Sequence, residues 1–131
     1  MKPRTHLGID PDLCGRPTDL GPGRAVVELQ TLPTMAADTQ GLVHGGFIFG
    51  AADYAAMLAV NDPHVVLGAS DCRFTAPVPL GATVRCVAEV VKTKGKKRIV
   101  SVSCAIGDTV VLTGTFTTFV LDAHVLAGRS S

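Results

Sequence analysis

One carboxylate lies in the middle of an otherwise apolar segment, and it is the first chemically suggestive feature of the chain. Asp53 is surrounded by small and apolar residues between Gly46 and Val60. Ionising a carboxyl group in apolar surroundings is costly unless it has a partner. Such an acid is therefore either satisfied by nearby hydroxyl or backbone groups or used as a general base or nucleophile. The residue itself leaves these alternatives open.

A His-Gly-Gly turn leads into this segment. The apolar run after His44 predicts a buried helix that begins at about Gly46 and stops at Asn61. Backbone N–H groups at a helix start lack intrahelical partners and carry the positive end of the helix dipole. Those of Gly45 and Gly46 suit an oxygen on which negative charge develops. A glycine turn needed only for close packing is the alternative.

The distance between these two groups excludes a site made by one helix. Asp53 lies seven residues after Gly46, which is roughly 10 Å along a helix axis. A base must come within about 3 Å of the water that it activates. Two antiparallel helices from two subunits meet both conditions if Gly45 of one faces Asp53 of the other. The spacing therefore predicts a site shared across a symmetric dimer.

Composition and charge restrict the class of protein. With 131 residues, 47% apolar and 18% charged, the chain has the balance of one globular domain. A net charge of +1 and only 5% aromatic residues give no case for nucleic-acid binding. The four cysteines form no Cys-x-x-Cys pair and the histidines show no ligand spacing, so we expect reduced thiols, no metal and a cytoplasmic location. No apolar run is long enough to span a membrane.

Alternating apolar and polar residues predict strands on both sides of the helix. One strand is expected before it, at 24–32, with Val26 and Leu29 pointing inward. Four are expected after it, at 65–74, 82–93, 97–106 and 109–121. This order predicts an α+β domain in which an antiparallel sheet curls round a single helix. Within this single domain of residues 1–131 we expect an irregular arm at 1–23, a core at 24–121 and a frayed tail at 122–131.

The motif at the helix start resembles a known family. The acid follows the histidine of His44-Gly45-Gly46 by nine positions, and residues 74–81 read Phe-Thr-Ala-Pro-Val-Pro-Leu-Gly. Both features resemble the phenylacetate-degradation-type acyl-CoA thioesterases of the hotdog fold, over residues 24–121. The resemblance implies a curved sheet around one long helix, homodimers or dimers of dimers, CoA thioesters as substrates, and no metal or other cofactor. It also implies that the oxyanion donor is Gly45.

Two acids stand where that family has neutral residues. Asp38 replaces an asparagine six residues before His44, and Asp71 replaces a serine or threonine eighteen residues after Asp53. Like charges in one pocket cannot all ionise easily, which would either supply an acid for the leaving thiolate or mark a loss of hydrolysis. Solvated surface acids are the alternative for both. Ser70 replaces the missing hydroxyl only if the strand slips by one residue, which reverses its facing.

Substrate contacts are predicted around the helix and at one basic turn. The acyl tail is expected among Phe47, Phe49, Tyr54 and Met57, next to Gly46. His44 either orients the turn, touches the substrate or is structural. The basic turn around Gly95 contains five basic residues within seven positions, and it is either a docking patch for the CoA phosphates or a solvated hairpin: Lys92, Lys94, Lys96, Lys97 and Arg98.

The leading prediction is an acyl-CoA thioesterase with Asp53 as base or nucleophile and the Gly45 N–H as oxyanion donor. The second is a non-catalytic acyl-CoA-binding or regulatory protein of the same fold, which Asp38 and Asp71 favour. A dehydratase of this fold is the weakest of the three, because such sites usually pair an acid with a histidine at a different spacing.

Overall fold

The structure, a computed structural model, describes residues 1–127 as one antiparallel sheet packed against one long helix. The elements in chain order are α1 (Pro11–Cys14), β1 (Arg16–Gly21), β2 (Arg24–Gln30), a 3₁₀ turn (Pro33–Met35), α2 (Gly45–Val60), β3 (Val65–Phe74), β4 (Thr83–Lys94), β5 (Lys97–Ile106) and β6 (Thr109–Val120). The sheet has six strands in the order β1-β2-β4-β5-β6-β3, which leaves β1 and β3 at its edges. The predicted α+β architecture is confirmed.

Helix α2 forms the centre of the hydrophobic core. Its fully buried residues include four of its alanines, whose small side chains let the helix lie close to the sheet. The helix ends at Val60 and is followed by Asn61, which adopts a left-handed φ of 53° and donates its N–H to the Met57 carbonyl at 2.8 Å. Asparagine tolerates this conformation better than most residues. Within residues 1–127, no helix is long and apolar enough to cross a membrane.

Strand register decides which β3 residues face this helix. Ser70 pairs with Phe116 of β6, which pairs in turn with Val100 of β5, and both partners are fully buried. The next residue, Asp71, pairs with Thr115 and therefore points to the opposite face of the sheet. A register irregularity between Leu67 and Ala69 precedes this pairing.

Strand β2 shows one error in the predicted facing. Ala25, Val27 and Leu29 belong to the core that contains α2. Because side chains alternate along a strand, Val26, which we expected to point inward, lies on the other face, although it too is fully buried.

Two segments expected to be irregular contribute ordered structure. The arm at residues 1–23 contains α1 and β1, and β1 pairs with β2 from Arg16 to Gly21. Prolines favoured an irregular arm, but Pro17 lies in an edge strand, where a missing N–H is tolerated. In the predicted tail, residues 122–127 are not simply frayed: Lys96 Nζ donates to Asp122 at 2.8 Å. Residues 128–131 of that tail lie outside the described range.

Candidate active site

The side chain of Asp53 opens into a cavity of about 700 Å³. The cavity lies between α2, the first half of the edge strand β3 and the N-terminal segment. Helix α2 contributes Asp53 and Met57, and β3 contributes residues 65–67. The remaining walls are formed by Arg4, Thr5, His6, Leu7, Pro63, His64, His124 and Val125.

One oxygen of the Asp53 carboxyl group has no protein partner. Within residues 1–127, Asp53 Oδ1 is the one buried side-chain oxygen or nitrogen that makes no hydrogen bond. Burial raises the pKa of this carboxyl from 3.8 to about 6. Buried polar atoms without partners are rare and often belong to sites completed by water or a ligand. At neutral pH the group is therefore an ionised base of raised basicity, next to a cavity.

This burial has a measurable effect on stability. A carboxyl whose pKa is raised in the folded state stabilises the fold below its unfolded pKa, and this contribution is lost as pH rises through the folded value. For Asp53 the loss occurs between pH 3.8 and about 6. Asparagine has no such loss. The free energy of unfolding of Asp53→Asn minus that of wild type should therefore increase from acid to pH 8, by about 2 kcal/mol after allowing for partial exposure.

Urea unfolding of both proteins at pH 8 and below pH 4 measures this change, and comparing the two pH values removes the effect of the amide itself. Asp71→Asn, which alters an exposed carboxylate on the other face of the sheet, is the matched control. An Asp53→Asn difference that does not change with pH would show that the buried carboxylate carries no cost.

The start of α2 borders a second cavity, of about 450 Å³. Gly45 and Ile48 line it together with Val111 and residues from the far end of β3 and the loop after it, including Phe74. A Cβ atom placed on Gly45 would lie 3.1 Å from the Phe74 ring, so glycine permits this close approach. Gly45 and Asp53 thus lie in separate cavities near opposite ends of β3. One chain does not bring the two groups together.

His44 and Gly46 form a compact turn above the helix start. The exposed His44 ring lies so close to Gly46 that a Cβ there would be 2.8 Å from Nε2. The same ring makes an edge contact with Phe47, with centroids 6.1 Å apart. The His44 side chain makes no capping hydrogen bond to α2. It lines neither cavity within this chain.

The three acids expected to share one pocket do not meet within a chain. Asp38 is exposed and its Oδ1 accepts hydrogen bonds from the backbone N–H groups of Gln40 (2.9 Å) and Leu42 (3.2 Å), which shapes the loop before the helix. Asp71 lies on the outer face of the sheet, in a shallow groove with Arg73. Neither lines the cavity of Asp53. Within one chain, therefore, the three carboxylates do not cluster, and the β3 register turns Asp71 away from α2.

Of the four side chains expected around the acyl tail, Met57 lines the Asp53 cavity. Phe49 packs against Phe116, with ring centroids 5.6 Å apart, and Phe47 packs on the core. Tyr54 is buried beside His6, with ring centroids 6.4 Å apart. Helical spacing alone could not separate residues that face the sheet from residues that face the cavity.

The basic turn lies at the same end of the sheet as the Asp53 cavity. The Lys96 carbonyl accepts a hydrogen bond from Val120, and Val120 pairs with Val65 of the cavity wall. Three of the basic side chains have local contacts. Lys96 pairs with Asp122, Lys97 lies over the Phe119 ring at 6.0 Å, and Arg98 donates to the Gly95 carbonyl at 2.6 Å. Lys94 forms no salt bridge within residues 1–127.

The sequence interpretation missed three histidines in this cavity. His6, His64 and His124 come from three separate segments, and all three line the space that Asp53 faces. They form no metal-binding group within the described residues. No local pattern links them to Asp53, since His6 precedes it by 47 positions. Only the tertiary packing of the N-terminal segment against α2 and β3 brings them together.

Comparison with known proteins identifies this arrangement as a hotdog-fold domain of the thioesterase class. The sequence matches the family model of FlK, the fluoroacetyl-CoA-specific thioesterase, over residues 55–124. This match covers more than half of the chain, and the protein belongs to that family. The matched region begins two residues after Asp53 and so includes neither Asp53 nor Gly45.

Solved structures share the fold. An uncharacterized protein from Pyrococcus horikoshii is 48% identical, with a TM-score of 0.95 over 96% of this chain and 97% of that one. A variant of the phenylacetic acid degradation protein PaaI from Thermus thermophilus is 29% identical, with a TM-score of 0.76 over 83% and 95% of the two chains. A hypothetical thioesterase with coenzyme A from Streptococcus pneumoniae shares the fold at 20% identity and a TM-score of 0.75, over 83% of this chain and 87% of that one.

Curated relatives are longer than this chain. A methylthioribose-1-phosphate isomerase from Aquifex aeolicus is 50% identical over 93% of the chain, which spans 27% of its length. The transcription factor FapR from a Thermoanaerobacter species is 26% identical over 99% of the chain, which spans 64% of its length. The chain therefore corresponds to one part of each of these proteins.

Proposed function

We propose that this protein is an acyl-CoA thioesterase whose site is completed by a second copy of the chain. The observation that carries the proposal is the buried, unpartnered Oδ1 of Asp53 beside a cavity, in a domain of a thioesterase family. A thioesterase needs a base or nucleophile with a basicity suited to neutral pH, and a carboxyl with a pKa of about 6 provides it.

The proposed reaction is hydrolysis of the thioester bond. In the general-base route Asp53 takes a proton from water while the water oxygen bonds to the thioester carbon. The carbonyl oxygen gains negative charge, which the Gly45 N–H at the helix start stabilises. The C–S bond then breaks, and the departing thiolate takes the proton from Asp53. In the nucleophilic route the Asp53 carboxylate bonds to the thioester carbon, the C–S bond breaks, and CoA leaves as a thiolate that takes a proton from solvent. Water then cleaves the anhydride, which releases the acid and restores the Asp53 carboxylate.

The free edge of the sheet supports the pairing of two copies. Strand β3 lies at the edge, and its central residues Gly68, Ala69 and Ser70 are small and exposed. Unpaired edge strands offer N–H and C=O groups to another chain. Antiparallel pairing of β3 with its copy, about an axis near Ala69, exchanges the two ends of the strand. The Asp53 cavity of one subunit then faces the Gly45 end of the other.

The exposed face of α2 is compatible with this pairing. Gly46 and Gly50 lie on the same side of the helix as Asp53, at helical spacing. A Cβ atom added to Gly50 would meet no atom within 4 Å, so space is open beside it in a single chain. A homodimer would fill this space with the partner helix or with substrate.

The basic turn is the proposed docking site for the phosphates of CoA. Strand β6 separates this turn from the β3 wall of the cavity, and the turn and the cavity lie at the same end of the sheet. Lys92 and Lys94 are the side chains most available for this role, since Lys96, Lys97 and Arg98 already have local contacts. Binding of phosphate would require Lys96 to leave Asp122, an exchange between two exposed ionic contacts.

Release of free CoA thiol from a panel of acyl-CoAs tests the proposal. The panel should include short, long, branched and aromatic acyl groups, because the cavity alone does not select among them. We expect continuous release from at least one member. Absence of release from the whole panel, together with binding of one or more members, would favour the second candidate.

The second candidate is a non-catalytic acyl-CoA-binding or regulatory domain. The similarity to a transcription factor across 99% of the chain favours it. Four free thiols, two of them buried, agree with a reducing compartment such as the cytoplasm for either candidate. Tight binding without turnover would identify this function.

The pH dependence of hydrolysis follows from the raised pKa of Asp53. The carboxylate is the active form in both routes, so we expect kcat/KM to rise with pH and level off above an apparent pKa of about 6. Burial lowers the pKa of His6, which lines the same cavity together with Arg4, His64 and His124. The variant His6→Gln separates these contributions.

Initial rates from about pH 5 to pH 9 measure this profile. Retention of the acid limb in His6→Gln, His64→Gln and His124→Gln assigns it to Asp53. A flat profile across that range, or loss of the limb in His6→Gln, would contradict the assignment.

A further inference from the structure

The first residues of the chain form one wall of the Asp53 cavity. We call residues 2–7 the N-terminal strap. Four consecutive strap residues, Arg4, Thr5, His6 and Leu7, line the cavity opposite Asp53 and Met57. Thr5 is buried and His6 is half-buried, whereas Leu7 is exposed at the rim. The strap is therefore part of the site.

The strap is held in place by the residue that ends helix α2. The Asn61 side chain accepts a hydrogen bond from the Arg4 N–H at 2.7 Å and donates one to the Lys2 carbonyl at 2.9 Å. Asn61 is only 8% exposed. Because its backbone continues from the helix that carries Asp53 and Met57, the strap and these two residues are fixed to one element. The contact therefore ties one wall of the cavity to the helix that forms another wall.

His6 has a backbone conformation that few histidines adopt. Its φ is 55°, in the left-handed region, and within residues 1–127 Asn61 is the one other non-glycine residue with a positive φ. Such conformations persist where surrounding contacts impose them, and they cluster at functional sites. Here the Thr5 hydroxyl lies 2.8 Å from His6 Nδ1, and the His6 carbonyl accepts from Ile9 at 3.2 Å. The ring is thereby oriented at the cavity wall.

The chemistry of an oriented imidazole suits recognition of a polar group. Burial lowers the pKa of His6, so its ring is neutral at pH 7. With Nδ1 paired to Thr5, Nε2 is the ring atom left for a ligand. A neutral imidazole can donate or accept according to its tautomer. The opposite walls are formed by Met57 and residues 65–67, which are apolar.

We propose that the N-terminal strap is the specificity element of the site, with His6 contacting an oxygen on the acyl chain of the substrate and Asn61 acting as a positioning residue. The proposal rests on the proposed acyl-CoA function. It predicts a preference for acyl groups that carry a hydroxyl or carbonyl a few atoms from the thioester, over apolar groups of equal length. An apolar acyl group would leave the partly buried His6 ring without a hydrogen-bond partner, which disfavours binding of that acyl group.

Paired CoA esters of matched length test the proposal. We expect a kcat/KM for 3-hydroxybutyryl-CoA at least about tenfold above that for butyryl-CoA. In His6→Phe this ratio should fall by about tenfold, through loss on the hydroxylated ester, whereas His6→Gln should keep an intermediate ratio. Equal use of both esters by wild type, or an unchanged ratio in His6→Phe, overturns the proposal.

The role of Asn61 is tested with a substitution that preserves the backbone. Glycine accepts the left-handed conformation, so Asn61→Gly removes both strap hydrogen bonds while the end of the helix keeps its shape. We expect the ratio of kcat/KM for the hydroxylated ester to kcat/KM for the apolar ester to fall in Asn61→Gly towards the value for His6→Phe. Gln30→Ala is the matched control, because it also removes an amide that bonds a backbone carbonyl and a hydroxyl, away from the cavity. An Asn61→Gly ratio equal to that of the control overturns the positioning role.

Binding measurements separate this inference from the proposed function. If no ester is hydrolysed, calorimetric Kd values for the same pair of esters report the same selectivity, and the thioesterase proposal alone fails. The preference for the hydroxylated ester and its loss in His6→Phe would then still support the strap. Equal Kd values, or no binding of either ester, would overturn it.

Discussion

Replacing Asp53 with asparagine should abolish thiol release while leaving the protein folded. We expect kcat to fall by about 10³-fold, the range seen when a positioned acid–base group is removed. The amide has nearly the shape of the carboxyl group but cannot take a proton from water or form an anhydride. Loss of activity in this variant would therefore assign the chemistry to the carboxyl group whose Oδ1 is buried without a partner.

The stability expected of this variant makes the result interpretable. Ionised Asp53 is costly to bury, and asparagine carries no charge. The urea midpoint of Asp53→Asn, compared with that of wild type, should therefore be higher at pH 8 than it is in acid. Lost activity in a protein that is no less stable cannot be attributed to unfolding. Asp71→Asn should retain activity, since Asp71 faces the outer groove of the sheet. Turnover by Asp53→Asn within tenfold of wild type would remove Asp53 from the mechanism.

Isotope labelling tests for a covalent intermediate on Asp53. In a single turnover in ¹⁸O-water, a general base delivers labelled water oxygen directly to the product acid. In the nucleophilic route, water attacking the acyl carbon of the anhydride also labels the product, whereas attack on the Asp53 carbon places the label in the protein. Label found in Asp53 after one turnover therefore demonstrates a covalent intermediate. Unlabelled Asp53 with fully labelled product is expected both for general-base catalysis and for an anhydride opened at its acyl carbon, and it excludes only attack on the Asp53 carbon.

Local patterns in the sequence were sufficient to predict the helix and five of the six strands. Alternation located β3 and β5 to the residue, and the apolar run ending at Asn61 located α2. These signals come from neighbouring residues. The edge strand β1 was missed because prolines and glycines dominate its segment and alternation there is weak. An edge position tolerates such residues.

The site was predictable only where its residues share one element. The spacing of Gly45 and Asp53 along α2 correctly indicated that one chain would keep them apart. The facing of Asp71 depended on the pairing of β3 with β6, and the contribution of His6 depended on packing between segments distant in sequence. Neither leaves a local pattern. Three histidines in one cavity therefore became visible only in the folded chain.

Removing one N–H group at the helix start should be nearly as damaging as removing Asp53. Gly45 is the first residue of α2, where proline is well tolerated, and His44 has φ −63° and ψ 129°, which suit a residue before proline. Gly45→Pro therefore deletes the proposed oxyanion donor without breaking the helix. We expect kcat to fall by about 10²- to 10³-fold.

Gly45→Ala is the matched control for this substitution. Alanine keeps the N–H but places a Cβ at the same position, 3.1 Å from the Phe74 ring. Phe74 is 57% exposed and has room to move. Measured kcat for Gly45→Ala should stay well above that for Gly45→Pro. Equal losses in the two variants would attribute the effect to crowding of Phe74 and would remove the oxyanion role from the Gly45 N–H.

Mixed dimers of these variants decide whether the site is shared. A heterodimer of Asp53→Asn and Gly45→Pro subunits, purified through two different tags, has one intact site if Gly45 and Asp53 come from different chains. Its activity should be about half that of the wild-type dimer, because a two-fold dimer contains two equivalent sites. A heterodimer of wild type with the double variant should be inactive, since each site then lacks one group. The reverse pattern, with activity in the second heterodimer and not in the first, would place each site within a single subunit.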